Sequence, residues 1–364
     1  MSAEVITSSE GLHDLEDEWR GLLRNSDADG LFMTWEYASA WWEQFGNGKQ
    51  LRLVVFREGP GEVCGIAPLM LGVGNTLARQ YVKHLSFIGQ LNESLTEYQE
   101  LAVRKGDESV VAEAMAQLVL GEMRNEWEVL YFPVIREGSV VMGFFQEELE
   151  KRGFPAAKIF VRKSPNAALG ESWEAFLAKL SRNSRKKVKL AEKRFERDFE
   201  HELLVAGVDI PVDEAMEVLE ELNSMRWGDA ARSFKTREFG VFHRRLAKDF
   251  VERGWLSLLL LRGNGEFVAA QYDIYGNKAW GFQGGWRSDL AGYSIGKVMM
   301  AKALRRYIGL GLEEYDFLAG EADYKDSWSD DERMVYDLEL ANRESVRGLA
   351  FGLMRDLLLG ACRT

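Results

Sequence analysis

Three stretches of this 364-residue chain combine residue types that could do chemistry. In the first, Gly281-Phe-Gln-Gly-Gly-Trp286 is followed by Ala291-Gly-Tyr-Ser-Ile-Gly-Lys297 and then by helical spacing. A strand running through a loop with Gly and Ser into a helix can bind an anion. The first helical N–H groups lack partners, and the helix dipole adds positive charge. Gly292 and Gly296 would let a ligand approach the backbone, and Lys297 could meet a phosphate as a point charge. The same spacing also fits an ordinary strand–helix turn with Ser294 as N-cap. Gly284-Gly285 inside the strand points to a bulge, a close approach by something narrow, or a weak strand end.

The second stretch is Tyr315-Asp-Phe-Leu-Ala-Gly-Glu-Ala-Asp-Tyr-Lys-Asp-Ser-Trp328. A buried strand delivers Asp316, and a glycine turn then presents Glu321, Asp323, Tyr324, Lys325 and Trp328. Open α/β sheets place their chemistry at such strand ends. Asp316 or Glu321 could serve as a base and Tyr324 as an acid if burial shifts them; a solvated charged loop is the alternative. The third stretch, Ser181-Arg-Asn-Ser-Arg-Lys-Lys-Val-Lys189 with Lys193, Arg194 and Arg197, is the strong basic cluster of an acidic chain. Val188, Ala191, Phe195 and Phe199 give it a helical apolar face. It reads either as a solvated face paired with Glu192, Glu196 and Asp198 or as a guide for an anionic ligand.

The elements that must position these residues follow from periodicity. Helical spacing covers 9–24 and, behind a Thr34 N-cap, Tyr37 to Phe45. A hairpin follows, Leu51–Phe56 and Val63–Leu71, then strands at 81–88, 127–132 and 157–161 and helices at 108–124 and 138–151. Lys163–Gly170 reads as a loop and places a boundary near 165, giving domains 1–165 and 166–364. The second half repeats the plan. Its helices are expected at 172–180, 182–199, 213–226, 237–253, 295–308 and 344–359, and its strands at 201–205, 255–261, 267–275, 278–285, 314–318 and 332–340. This repetition reads as a duplicated mixed α/β unit. Val346, Leu349, Ala350, Leu353, Met354, Leu357 and Leu358 form a stripe expected to pack on its own sheet. Trp41, Trp42 and Trp286 are the tryptophans expected to line a cleft.

Composition narrows the function classes. A formal charge of −12 opposes a phosphate-backbone binder. Two isolated thiols, Cys64 and Cys362, make neither a disulfide framework nor a zinc set, and they suit a reducing cytoplasm. The four histidines show no metal-ligand spacing, and no G-x-S-x-G elbow is present. The start lacks a signal-peptide pattern, and Leu256–Leu261 is too short to span a bilayer.

At Tyr293-Ser-Ile-Gly296, Asp316-Phe-Leu-Ala-Gly320 and Tyr324-Lys-Asp-Ser-Trp328, the chain resembles the GNAT superfamily, in its CelD-like, FemAB-related acyltransferase group. Ile295 stands where that pattern has proline. The basic helix with Arg182 and Arg185 also matches, as do Trp19, Phe32, Trp35, Trp41, Ile66-Ala-Pro68 and Phe87-Ile-Gly89 over the first half. The resemblance implies an α/β chain (α+β mixed sheet) of two tandem GNAT-like domains. It implies that acetyl-CoA or another acyl-CoA binds the second half, held by Gln283, Gly284, Gly285, Trp286, Tyr293, Ser294, Ile295, Gly296 and Lys297. The first half, lacking a matching glycine loop, is expected to shape the acceptor site. The implied catalytic residues are Asp316, Tyr324, Lys325 and Glu321, and the substrate contacts are Arg182, Arg185, Asp273 and Trp328, without a metal. The implied reaction is acyl transfer to the amine of a small molecule, amino sugar or cell-envelope or exopolysaccharide precursor. FemAB-like transfer from charged tRNA and a non-catalytic scaffold in polysaccharide assembly are the competing readings.

Overall fold

A computed structural model describes residues 1–361 apart from 29, 60, 75–79, 91–95, 229–233, 235 and 321–322. Glu321 and Cys362 lie outside the described residues. The chain divides into two units, one of Met1–Arg162 with the segment from Met334 onward, the other Lys163–Arg333.

The first unit contains β1 (Ser2–Ile6), α1 (Ser9–Asp14), α2 (Glu16–Arg24), α3 (Trp35–Phe45), β2 (Gln50–Glu58), β3 (Glu62–Val73), β4 (Lys83–Phe87), β5 (Ala102–Val103), α4 (Glu108–Leu120), β6 (Val129–Arg136), α5 (Gln146–Lys151) and the start of β7 (Ala157–Ala168). The expected hairpin is β2–β3, and β4 pairs in parallel with β6. Apolar residues of these strands close over Val111, Met115 and Val119 of α4. The helix expected over 9–24 breaks at Leu15, which ends α1 and opens α2. Thr34 caps α3 by accepting from the Tyr37 N–H. Trp41 is fully buried and belongs to the core rather than to a cleft.

The second unit continues β7 and holds α6 (Trp173–Lys179), α7 (Arg182–Asp198), β8 (His201–Val205), α8 (Val212–Trp227), α9 (Arg237–Arg253), β9 (Leu256–Gly263), β10 (Glu266–Tyr275), β11 (Ala279–Trp286), α10 (Ile295–Gly309), β12 (Glu314–Asp316) and α11 (Asp323–Asp326). Lys163–Ala168, expected as a loop, is strand: Ala168, Ala167 and Asn166 pair with Glu314, Tyr315 and Asp316. The pro-loop composition misleads because Pro165 lies inside a strand, where it still accepts a bond from the Phe317 N–H. Antiparallel pairing runs β8–β9–β10–β11, and β11–β12 is parallel. Val188, Ala191 and Phe195 of α7 pack with Val298, Ala301 and Leu304 of α10 over Leu259, Leu261 and Ala269.

Last come β13 (Asp331–Ala341) and α12 (Val346–Ala361). From Val335 to Ala341, β13 pairs antiparallel with β6, which assigns this segment to the first unit rather than to the expected 166–364 domain. Leu338 and Leu340 complete that unit's core. The stripe expected to pack inward on α12 is outward: Val346, Leu353 and Leu357 are 85%, 54% and 76% exposed. The inner face instead uses Gly348, Phe351 and Gly352, because a side chain at Gly348 would strike the Asn342 and Glu128 carbonyls.

Candidate active site

The second unit's sheet opens on one side of β11. β12 pairs with it at Ala279↔Tyr315 and Trp280↔Asp316, and that register stops there. β11 runs on through Gly281–Trp286 while β12 has ended at Asp316. The widening gap is where a narrow ligand can lie along a strand edge.

One wall of the gap is set by three glycines. A Cβ on Gly281 would stand 2.4 Å from the Tyr315 hydroxyl, so glycine is needed for that hydroxyl to pass. A Cβ on Gly285 would stand 2.2 Å from the Asn223 backbone nitrogen, so α8 packs directly on the strand. Asn223 Nδ2 fixes the approach by donating to the Gly284 carbonyl at 3.0 Å. The space over Gly284 itself is bordered by the Ala270 carbonyl, Gln271 Oε1 and Arg226 Nη1, at 3.1, 3.1 and 3.7 Å from the absent Cβ.

Behind this wall sits Asp273, fully buried at a bulge where Tyr272 faces Gln283 but Asp273 faces Gly281. Its carboxylate accepts from Tyr307 (2.5 Å), Tyr315 (3.0 Å) and Gln271 Nε2 (2.5 Å). Burial nevertheless dominates and pushes its pKa up to about 7. Tyr307 also meets the Ser257 hydroxyl at 2.8 Å, and burial raises both tyrosines well above the ordinary phenol range. Asp273 was expected only as a substrate contact implied by the resemblance, and its buried partners were not foreseen.

Tyr324, on α11, faces Arg226, whose guanidinium lies 5.7 Å from the Tyr324 ring, 5.7 Å from the Trp286 ring and 4.3 Å from the Trp227 ring. Burial raises the phenol's pKa against the lowering by Arg226, so Tyr324 keeps its proton at neutral pH. Arg226 and Gln271 escaped the sequence reading. An arginine in the last turn of a helix looks like a dipole partner, and only the packing of α8 on Gly285 brings it to the gap.

Three expected site residues make contacts within and beside the loop. Asp316 is 1% exposed, and its carboxylate accepts from the Leu318 N–H at 2.8 Å, holding Leu318 at φ +61°. Lys325 Nζ donates to the Leu318 and Ala319 carbonyls, each at 2.9 Å. Trp328 is buried against Phe176. These contacts shape the turn that carries Tyr324.

The other end of the gap is the N-terminus of α10. Ser294 occupies the cap position with φ +54°, and its side chain makes no cap bond, contrary to the N-cap alternative. The Lys297 N–H donates to the Ser294 carbonyl at 2.8 Å, and a Cβ on nearby Gly292 would meet nothing within 4 Å. Gly296 touches the Trp286 indole, with Nε1 3.1 Å from the absent Cβ. Lys297 is half-buried, and burial together with Lys187 lowers its pKa. Arg194 stacks 4.6 Å from the Tyr293 ring and donates to the Gly292 carbonyl at 2.7 Å. Arg182 is exposed in the first turn of α7, whereas Arg185 turns back to the Leu180 carbonyl at 3.4 Å. Among the described residues no group of three His, Cys, Asp or Glu could hold a metal ion, and no helix is long and apolar enough to cross a membrane.

Residues 182–326 match the family model described as an acetyltransferase (GNAT) domain. The solved structure of FemX has a TM-score of 0.63 at 12% identity, covering 94% of this chain and 98% of that one. L-PGS from Bacillus licheniformis has a TM-score of 0.53 at 11% identity, with 94% and 95% covered. A tandem GNAT protein from the clavulanic acid biosynthesis pathway has a TM-score of 0.50 at 11% identity, with 94% and 99% covered. No curated protein matches. Residues 182–326 thus match a GNAT acetyltransferase domain, and over 94% of its length the chain shares the fold of FemX and of the tandem GNAT protein.

Proposed function

We propose that this chain is an N-acyltransferase that moves an acyl group from acyl-CoA to an amine. The observation that carries the reading is the edge of β11 from Gly281 to Trp286, left open by β12 and ending at the uncapped first turn of α10. The residues fit a long, narrow, anionic donor. Ile295, Gly296 and Lys297 would hold its pyrophosphate, with Lys187 adding charge, and the Gln283–Trp286 backbone would lie along its pantetheine arm. When bound, acyl-CoA supplies the thioester.

The chain's own residues then divide the work. Tyr324 holds a proton beside Arg226 and would give it to the departing sulfur. Asp273, held near neutral pKa behind Gln271 and Tyr315, is the proton store for the attacking amine. Asp316 and Lys325 keep the Leu318–Ala319 turn in place and so position Tyr324.

Calorimetric titration with acetyl-CoA and an acetylation assay over a panel of amines test this reading. Donor binding at micromolar to millimolar concentration and acetylation of at least one amine are expected. Tyr324→Phe should then lower kcat by about 100-fold while the donor Kd is retained. Heatless titration at millimolar acetyl-CoA would leave the scaffold reading standing. FemAB-like transfer from charged tRNA keeps one supporting observation, the exposed basic face of α7 with Arg182, Lys186, Lys187, Lys189 and Lys193. It requires tRNA binding that weakens steeply with salt.

A further inference from the structure

Arg226 is a half-buried guanidinium that makes no ion pair among the described residues. Its neighbours are the faces of Trp227, Trp286 and Tyr324. Burial lowers its pKa, and among the described residues the group offsetting that is the Tyr324 phenol, through a hydrogen bond and its charge. Taking a guanidinium out of water without a carboxylate is costly, and the planar donor fork it presents matches an oxyanion. Three other arginines of this unit have carboxylate partners: Arg244 with Glu220, Arg305 with Glu192, and Arg333 with Glu314.

Gln271 borders the same space and points in one direction. Its Nε2 donates to Asp273 at 2.5 Å and to Tyr315 at 3.3 Å. Both amide protons are thereby engaged, which turns Oε1 toward the space over Gly284, where Arg226 Nη1 also stands. A hydrogen-bond acceptor suited to an amine and a cation suited to an oxyanion therefore face one small volume beside the β11 edge. Trp286 separates that volume from the α10 N-terminus: its indole touches Gly296 while Arg226 stands over its ring. The cation at Arg226 is accordingly a different anion site from the one at Lys297.

We propose that Arg226 and Gln271 select an acceptor that carries an oxyanion close to its amine, as an α-amino acid does. This deepens, and rests on, the acyltransferase reading. The acceptor's carboxylate meets the Arg226 fork, its amine meets Gln271 Oε1, and the amine then lies beside the open β11 edge.

Binding and turnover are measured separately on the full chain. α-Amino acids are titrated against their carboxamides, and O-phosphoethanolamine against ethanolamine, following tryptophan fluorescence and heat; the same compounds are then offered with acetyl-CoA. The expected result is that free acids bind about 10-fold or more tightly than their amides. Arg226→Met should lose about 30-fold in that affinity and abolish the preference, and Arg226→Lys should recover part of it. Gln271→Met should weaken amino acids while leaving acetate-type anions unaffected. A stronger response to the phosphate compounds would assign the oxyanion to a phosphate rather than a carboxylate. Equal binding of acids and amides by the wild type, or a preference surviving in both Arg226 variants, overturns the inference. The two layers fail differently. Arg226-dependent anion binding with no amine acetylated would remove the acyltransferase reading alone. Acetylation of neutral amines with Arg226 inert would remove this inference alone.

Discussion

Asp273 and His243 are buried titratable groups whose effects on stability have opposite sign. Burial lifts Asp273 from 3.8 to about 7, and burial among Phe242, Tyr272 and Phe282 lowers His243 from 6.5 to about 3. Between about 4 and 7 the folded chain keeps the Asp273 proton that the unfolded chain has released. Stability from this group therefore falls as pH rises, by roughly 1.4 kcal/mol per unit. Between about 3 and 6.5 the unfolded chain takes up a His243 proton that the fold refuses, so this contribution rises with pH at the same slope. The two oppose each other from about 4 to 6.5. Thermal unfolding across that range should show His243→Phe losing stability as pH rises relative to wild type, and Asp273→Asn gaining it. Parallel profiles for wild type and both variants would mean that neither group titrates as described. In turnover, Asp273→Asn should also remove the pH-dependent limb near 7, read from kcat/KM against pH.

At the scale of elements, the site depends on how closely α8 meets β11. Gly285→Ala places a methyl against the Asn223 and Leu222 backbone, which cannot give as a side chain can. A loss of about 1–3 kcal/mol is expected in denaturant unfolding, with weakened anion binding because Arg226 moves with its helix. Helix starts give a contrasting pair. Ser181 caps α7 by accepting from the Ser184 N–H at 3.1 Å, whereas Ser294 caps nothing. Ser181→Ala should cost about 1 kcal/mol, and Ser294→Ala less than about 0.5 kcal/mol. A full cap penalty at Ser294 would argue that its hydroxyl, not a ligand, serves the α10 N-terminus.

For the whole molecule, the return of the chain end matters most. Asp337 on β13 accepts from the Tyr131 hydroxyl and the Val134 N–H, each at 2.9 Å, and pairs with Arg162. Leu338 and Leu340 fill the core beneath. A chain ending at residue 333 should therefore lose the cooperative unfolding of the first unit and expose its core to hydrophobic dyes. The segment 163–333, which contains its own apolar core, should unfold as a unit in circular dichroism and calorimetry. A full-length-like transition from the chain truncated at 333 would show that β13 is dispensable.

Much of this protein was determined by sequence alone. Period and turn chemistry were enough for the two hairpins, for α9 over Arg237–Arg253 and for the strand–loop–helix order from Ala279 to Gly309, because those signals act over a few neighbouring residues. The motif residues around 293–297 and 316–328 stood out in the sequence by residue type, but their contacts came from tertiary structure. Asp316 and Lys325 bond to the Leu318–Ala319 backbone, while Asp273, Gln271 and Arg226 meet across 226 to 315 in a geometry set by glycines at 281, 284 and 285. The last strand's pairing with β6, rather than with β12 just before it in sequence, was likewise invisible locally, since pairing partners are selected by which apolar face remains open after the rest has packed.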